Sequence, residues 1–194
     1  MNSKYEVVLG DLNMQQCEVV RQWRNKLEGV LRTPFFLTDK MQQDFYNNVV
    51  SNRNSNNRFF GVYVSESLDS SLAINTKTMQ ARRVNEFIGM VGLINIEWEN
   101  GLAEISMIIN PQLHNKGIGS KAFGLLLAKG FSEMNLSNIY GEVYECNSAV
   151  NFWVKQIKKY KTYTTKLPCR KYFNGKYYDS LYFNFKHNDW RLNK

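Results

Sequence analysis

The segment NPQLHNKGIGSKAFGLLL, residues 110–127, places Gly117 and Gly119 at the head of an apolar helical pattern, with Lys116 and Lys121 beside them. Glycines at a helix start let backbone N–H groups approach an anion without Cβ obstruction. The unsatisfied amides of the first turn and the helix dipole then favour negative charge. The chemistry implied is a phosphate cradle. It is not a P-loop, because no G-x-x-x-x-G-K-[ST] spacing is present. Gly117, Gly119 and Ala122 do satisfy G-x-G-x-x-A, but a dinucleotide site needs the glycines directly after a parallel strand. Here Pro111 to Lys116 intervene, and the preceding strand belongs to a hairpin.

Other chemistries are excluded by composition. His114 and His187 are the only histidines, and no H-E-x-x-H or His/Cys cluster has metal-ligand spacing, so no metal site is expected. Cys17, Cys146 and Cys169 are widely spaced and read as free thiols. No G-x-S-x-G elbow accompanies a triad. Carboxylates, tyrosines and backbone amides remain to carry a reaction. Glu104 is the best-placed candidate base; Glu97 and Glu99 lie near a hairpin end.

These residues need elements to position them. YEVVLG (5–10) reads as a strand and residues 13–28 as a helix. Thr38 caps a helix to about Val50, and RFFGVYV (58–64) is a strand. Residues 65–85 are polar and read as a loop insertion. EFIGMVGLINIEWENGLAEISMIIN holds two antiparallel strands turning at Glu99-Asn100-Gly101. On the second, Ala103, Ile105, Met107 and Ile109 share one face; Leu102, Glu104, Ser106 and Ile108 share the other. That mixed second face suits a cleft wall. A helix from about Gly117 to Glu133 follows, then the strand NIYGEVY (138–144). Asn147 or Ser148 caps a helix to Lys159, and TYTTKL and KYYDSLYFNF are closing strands.

The segment from Phe87 to Lys159 resembles the GNAT N-acetyltransferase family. The resemblance rests on AEISMIINPQL-HNKGIG-SKAFGLLL, a strand, an Asn/Pro turn and a glycine pair opening a helix. It implies an α/β (α+β) fold: a mixed, centrally splayed sheet of about seven strands with about four helices, in a single domain over 1–194. It implies acetyl-coenzyme A as acetyl donor. By motif position, amides of His114, Asn115, Lys116, Gly117, Ile118, Gly119 and Ser120 would hold the pyrophosphate. The backbone of Met107, Ile108 and Ile109 would pair with the pantetheine arm. Asn147, Ala149 and Lys155 resemble the second family block, which implies that Asn147 and Lys155 join the cofactor-binding residues. His114 replaces the family's usual Gln or Arg. Trp153 stands where many relatives keep the tyrosine proposed to protonate the leaving thiolate. Tyr144, or else Tyr160, is the substitute acid, each equally readable as a packed aromatic.

The acceptor follows less directly. A WRN…VR-like start resembles the branch acetylating nucleotide-linked amino sugars, and also neighbouring ribosomal-protein and polyamine branches. In the first of these, Arg21, Arg24 and Arg32 with Trp23, Phe35 and Phe36 would hold a base and diphosphate. A formal charge of +8 disfavours a polycation. The expected acceptor is a primary amine on a small anionic molecule such as a nucleotide-linked amino sugar, with protein N-termini as an alternative. Lys155, Lys158, Lys159, Lys161, Lys166, Arg170, Lys171 and Lys176 occupy a stretch without an acid. It leaves open a nucleic-acid-binding protein on the same fold, and Trp153 leaves open a partner-binding module without chemistry. No apolar run suits a membrane span, and the opening MNSKYEVVLGD lacks a signal-peptide core, so a cytoplasmic monomer or homodimer is expected.

Overall fold

A computed structural model describes residues 5–27, 29–66 and 86–193. Seven strands form one sheet in the order β1-β2-β3-β4-β5-β7-β6. They are β1 (Tyr5–Gly10), β2 (Arg58–Glu66), β3 (Glu86–Glu97), β4 (Leu102–Ile109), β5 (Asn138–Tyr144), β6 (Tyr163–Phe173) and β7 (Lys176–Lys186). Among the described residues only the β4–β5 pair is parallel. The helices are α1 (Met14–Asn25), α2 (Asp39–Phe45), α3 (Ile118–Ala128), α4 (Val150–Tyr160) and a short α5 (His187–Leu192) that the sequence pattern did not suggest. Of the expected 65–85 insertion, residues 67–85 lie outside the described residues.

Local chemistry sets the element ends. Asn13 and Gln16 form a reciprocal capping box at α1. The Thr38 side chain accepts from the Met41 amide at α2, as expected. Both α2 and α3 run on into a π-helical turn, Tyr46–Val50 and Lys129–Glu133. The α4 cap differs from expectation. The helix is entered through Ala149 with no side-chain cap, and Asn147 instead accepts from the Ala149 amide in the turn before it. The reason is competition: an Asx turn satisfies the same side-chain oxygen one step earlier.

Helices α3 and α4 cover one face of the sheet with an apolar core. Phe123 is fully buried, with Phe152, Trp153, Tyr160 and Phe185 around it at centroid distances of 5.0–6.4 Å. Ala103 and Ile105 of β4 belong to that core, with Met107 and Ile109 packed against it. Helix α1 and the segment leading to α2 lie over the opposite face, where Glu104 meets Arg32. The alternation read along β4 therefore separates two environments.

Candidate active site

The β3–β4 ladder decides where each β4 backbone group points. The Asn110 amide donates to the Ile88 carbonyl at 2.8 Å, and Gly89 faces Ile109 in a register unbroken back to Ile94–Glu104. Antiparallel alternation turns the backbone groups of Glu104, Ser106 and Ile108 toward β3. Those of Ile105, Met107 and Ile109 turn the other way, toward β5. Yet β5 pairs with β4 only at Leu102–Asn138, Ala103–Ile139 and Glu104–Tyr140. Beyond Glu104 the strands part, and the outward groups of Ile105, Met107 and Ile109 line the gap. Ile108 does not share this, because its backbone is turned to Met90.

The glycine motif sits at the end of that gap. Asn115 and Gly117 both take the left-handed conformation, with φ of 63° and 77°. Such reversals curl successive N–H groups into a concave arc. No side chain caps α3, so the first-turn amides of Ile118, Gly119 and Ser120 face outward. A Cβ on Gly117 would meet no atom within 4 Å; the cradle is open. His114 turns its ring back, and Nε2–H donates to the Ile109 carbonyl at 3.1 Å. Buried Gln156 of α4 donates to the Ser120 hydroxyl oxygen at 2.9 Å. Lys116 and Lys155 are exposed. An extended acyl carrier with a diphosphate fits this place: strand-like pairing from Met107 and Ile109, then anion contacts from the α3 amides.

A second cluster occupies the other face where the strands begin to part. Glu104 is buried, with Oε1 2.6 Å from Arg32 Nη1 and Oε2 accepting from Asn95 Nδ2 at 3.2 Å. Asn95 reaches it from a bulge in β3, where its φ is 51°. Arg32 Nη2 lies 3.5 Å from Glu142 of β5. Glu142 also accepts from Ser180 Oγ at 2.5 Å and Arg170 Nε at 3.1 Å. Burial pushes the Glu142 carboxyl up, but Ser180, Arg170 and Arg32 prevail and hold it below the ordinary value. Burial likewise disfavours the Arg32 cation, and Glu104, Tyr144 and Glu142 outweigh it, raising its pKa. Tyr140 and Tyr182 stack at 5.9 Å. Burial, then the charge of Glu104, raises the pKa of both hydroxyls, so they stay protonated.

Glu142, Tyr140, Tyr182 and Asn95 were missed by sequence reasoning. The first two had a signal: NIYGEVY puts Tyr140, Glu142 and Tyr144 at alternate positions, hence on the face of Glu104. Asn95 had none, since its aim depends on the bulge.

Other sequence-derived candidates are accounted for individually. Tyr144 is half-buried at the end of β5, an electrostatic neighbour of Arg32, with Lys171 Nζ 5.6 Å from its ring. Tyr160 is packed in the α3/α4 core against Phe123 and Phe185. Trp153 is core as well, stacked on Phe183 at 4.7 Å. Asn147 Nδ2 donates to the Val30 carbonyl at 3.5 Å. The supposed base-and-diphosphate clamp does not assemble. Arg21 is held by Glu18, Asp39 and the Leu37 carbonyl. Arg24 is held by Thr33, and Arg32 by the carboxylates. Trp23 stacks on Phe87 at 6.0 Å. The acid-free basic stretch is broken up in space too. Lys166 pairs with Glu145 and Asp179, Arg170 with Glu142, and Lys171 Nζ donates to the Leu31 carbonyl.

The profile of the Acetyltransferase (GNAT) domain matches residues 13–151, well over half of the chain. The chain belongs to the GNAT acetyltransferase family. It is accordingly an acetyl-coenzyme A-dependent N-acetyltransferase. Similar solved structures include the spermidine N-acetyltransferase of Vibrio cholerae in complex with coenzyme A and spermine. It is 18% identical, with a TM-score of 0.71, covering 98% of this chain and 99% of that one. Mutant forms of the spermidine/spermine N-acetyltransferase of the same organism give 19%, 0.71, 98% and 98%. A chimera of that enzyme with hSSAT gives 20%, 0.68, 97% and 99%. At such identities the likeness establishes the fold alone. No curated protein sequence matches. Among the described residues no helix is long and apolar enough to cross a membrane, and no three His, Cys, Asp or Glu side chains could hold a metal.

Proposed function

We propose that this N-acetyltransferase acts on a primary amine of a small, flexible, cationic acceptor of the polyamine class. One observation carries this: Glu104 and Glu142, on adjacent strands, converge on a single cation at the mouth of the β4–β5 gap. The similarity of overall shape to spermidine N-acetyltransferases supports it. So does the failure of the arginine clamp, which removes the basis for a nucleotide-linked acceptor. The formal charge of +8 argued for an anion, but charge beyond about 8–10 Å is screened at physiological salt. The field an acceptor meets is set by the nearest groups, and those include the buried Glu104 carboxylate and the half-buried Glu142.

In this reaction Met107 and Ile109 orient the pantetheine arm. The amides of Ile118, Gly119 and Ser120, aided by Lys116, grip the diphosphate. An aliphatic ammonium has a pKa of about 10.4 and no lone pair, so it must lose a proton before attack. Glu104 accepts that proton. The amine nitrogen then bonds to the thioester carbonyl carbon, and outward N–H groups of β4 stabilise the oxyanion. Collapse breaks the C–S bond, Tyr144 gives its proton to the thiolate, and the proton shed by the newly acylated nitrogen restores the Tyr144 hydroxyl.

The test is a thiol-release assay with acetyl-coenzyme A against spermidine, spermine, nucleotide-linked amino sugars and peptides with free N-termini. The expected result is the highest kcat/KM on a polyamine. Turnover confined to the sugars or the peptides would overturn the acceptor assignment while leaving the acetyl-transfer chemistry intact.

A further inference from the structure

The Arg32 guanidinium stands where an acceptor cation has to go. It touches Glu104 at 2.6 Å and Glu142 at 3.5 Å, so it spans both strands at the point of divergence. With Asn95 on the other oxygen of Glu104, both oxygens of the candidate base are engaged. An amine cannot deliver its proton to Glu104 while Arg32 holds Oε1.

We propose that Arg32 is an internal stand-in for the acceptor, a counter-ion that the substrate ammonium displaces and that thereby restricts acceptors to cations. This rests on the cationic-acceptor assignment above. Buried Glu104 without a cationic partner would be costly, so the free enzyme keeps a cation of its own between it and Glu142, which Arg170 also neutralises. An incoming ammonium replaces that cation, whereas a neutral or anionic molecule that dislodged Arg32 would leave buried Glu104 without one, Glu142 alone keeping Arg170. Selectivity thus arises from the penalty on wrong ligands as much as from contacts to the right one.

The surroundings allow the side chain to leave without the loop. The backbone beside Arg32 is tied down: Lys171 Nζ donates to the Leu31 carbonyl at 2.9 Å, and Asn147 Nδ2 to the Val30 carbonyl at 3.5 Å. The Arg32 side chain itself is 54% exposed, against 9% for Glu104 and 11% for Glu142. More than half of that side chain is open to solvent, and it meets the two carboxylates through Nη1 and Nη2. A rotamer change withdraws the guanidinium while both carboxylates stay fixed by Asn95, Ser180 and Arg170.

The test compares wild type, Arg32→Gln and Arg32→Lys, using calorimetric titration of spermidine into the enzyme saturated with coenzyme A, and separately of acetyl-coenzyme A. Removing an internal competitor that leaves about a tenth of the molecules competent should tighten spermidine by about tenfold in Arg32→Gln. Arg32→Lys should stay near wild type, and acetyl-coenzyme A affinity should be unchanged throughout. Equal or weaker spermidine binding by Arg32→Gln, with acetyl-coenzyme A binding intact, would overturn the proposal. If that variant does not fold, the Nε–H resonance of Arg32 in wild type, identified by its absence from Arg32→Lys, decides. It should move on saturation with spermidine but not with acetyl-coenzyme A, and an unmoved signal sinks the idea. Should wild type acetylate a different amine and bind no spermidine, the acceptor assignment fails first and this inference with it. Spermidine turnover without an Arg32 effect refutes this inference alone.

Discussion

The two faces of β4 do different work by different means. On the α3/α4 face, Ala103, Ile105, Met107 and Ile109 join an apolar core whose shape holds the gap and the α3 terminus in place. The proposed donor grip there is made of backbone: N–H groups left over where pairing stops and where a helix begins. On the other face, Glu104 and its partners form a network of side chains from β3, β4, β5, β6, β7 and the segment after α1. A backbone grip tolerates many side chains; an ion network depends on each one. Changes on the first face should act through stability or donor affinity, and changes on the second through turnover and acceptor choice.

The largest effect should come from the core. Phe123 is fully buried among four aromatic rings, so Phe123→Ala should cost about 3–5 kcal/mol. Thermal unfolding should fall by roughly 10 °C for a chain of this size. A loss under 1 kcal/mol would mean that the packing of this face is not what supports the cradle. Next comes Glu104→Gln, which keeps size and an acceptor for Asn95 but removes the proposed base. Its kcat should drop by about 10²-fold, with acetyl-coenzyme A affinity unchanged. A pure loss of donor binding would merge the two faces and break the comparison.

Gly117→Val acts in the opposite sense. At φ 77° a β-branched residue is strained, so the curl of amides should open and donor affinity should weaken by about tenfold. Because no atom lies within 4 Å of the added Cβ position, the fold should survive, and isothermal titration can read the two effects separately. Retained donor affinity would show that the left-handed turn is not needed for the grip.

What the sequence disclosed follows this same division. Backbone features are local, so Gly117, the Asn100-Gly101 turn and the alternation along β4 were legible from neighbouring letters. The strand bounds 138–144 came directly from NIYGEVY. The acceptor face was not legible, because its contacts join residues far apart in the chain: Arg32 to Glu104, Arg170 to Glu142, Ser180 to Glu142. Summed charge misled for the same reason. The basic run from Lys155 to Lys176 contains no acid in sequence, but Glu142, Glu145 and Asp179 are supplied by β7 and by β5 with the turn that follows it.

The smallest predicted effect is on acid stability, and it sharpens the difference between the faces because Glu104 and Glu142 both belong to one of them. Glu142 has its folded pKa held below the ordinary value of 4.5. As pH falls, the unfolded chain therefore takes up the proton first. The stabilisation from this carboxylate is complete above the ordinary carboxyl range and is lost as pH drops through the folded value. Asp179, held down by the Cys169 amide and by Lys166, has the same sign, though it lies at the surface and contributes less. Glu142→Gln should accordingly flatten the fall of unfolding free energy below about pH 4.5 while leaving the slope near pH 7 unchanged. Gln replaces the carboxylate without changing the apolar core, so urea titrations at pH 7 and pH 3.5 separate the two contributions. If the variant and wild type lose stability in parallel down to pH 3.5, Glu142 is not held by its neighbours. The network would then be a solvated surface rather than the built face that receives the acceptor.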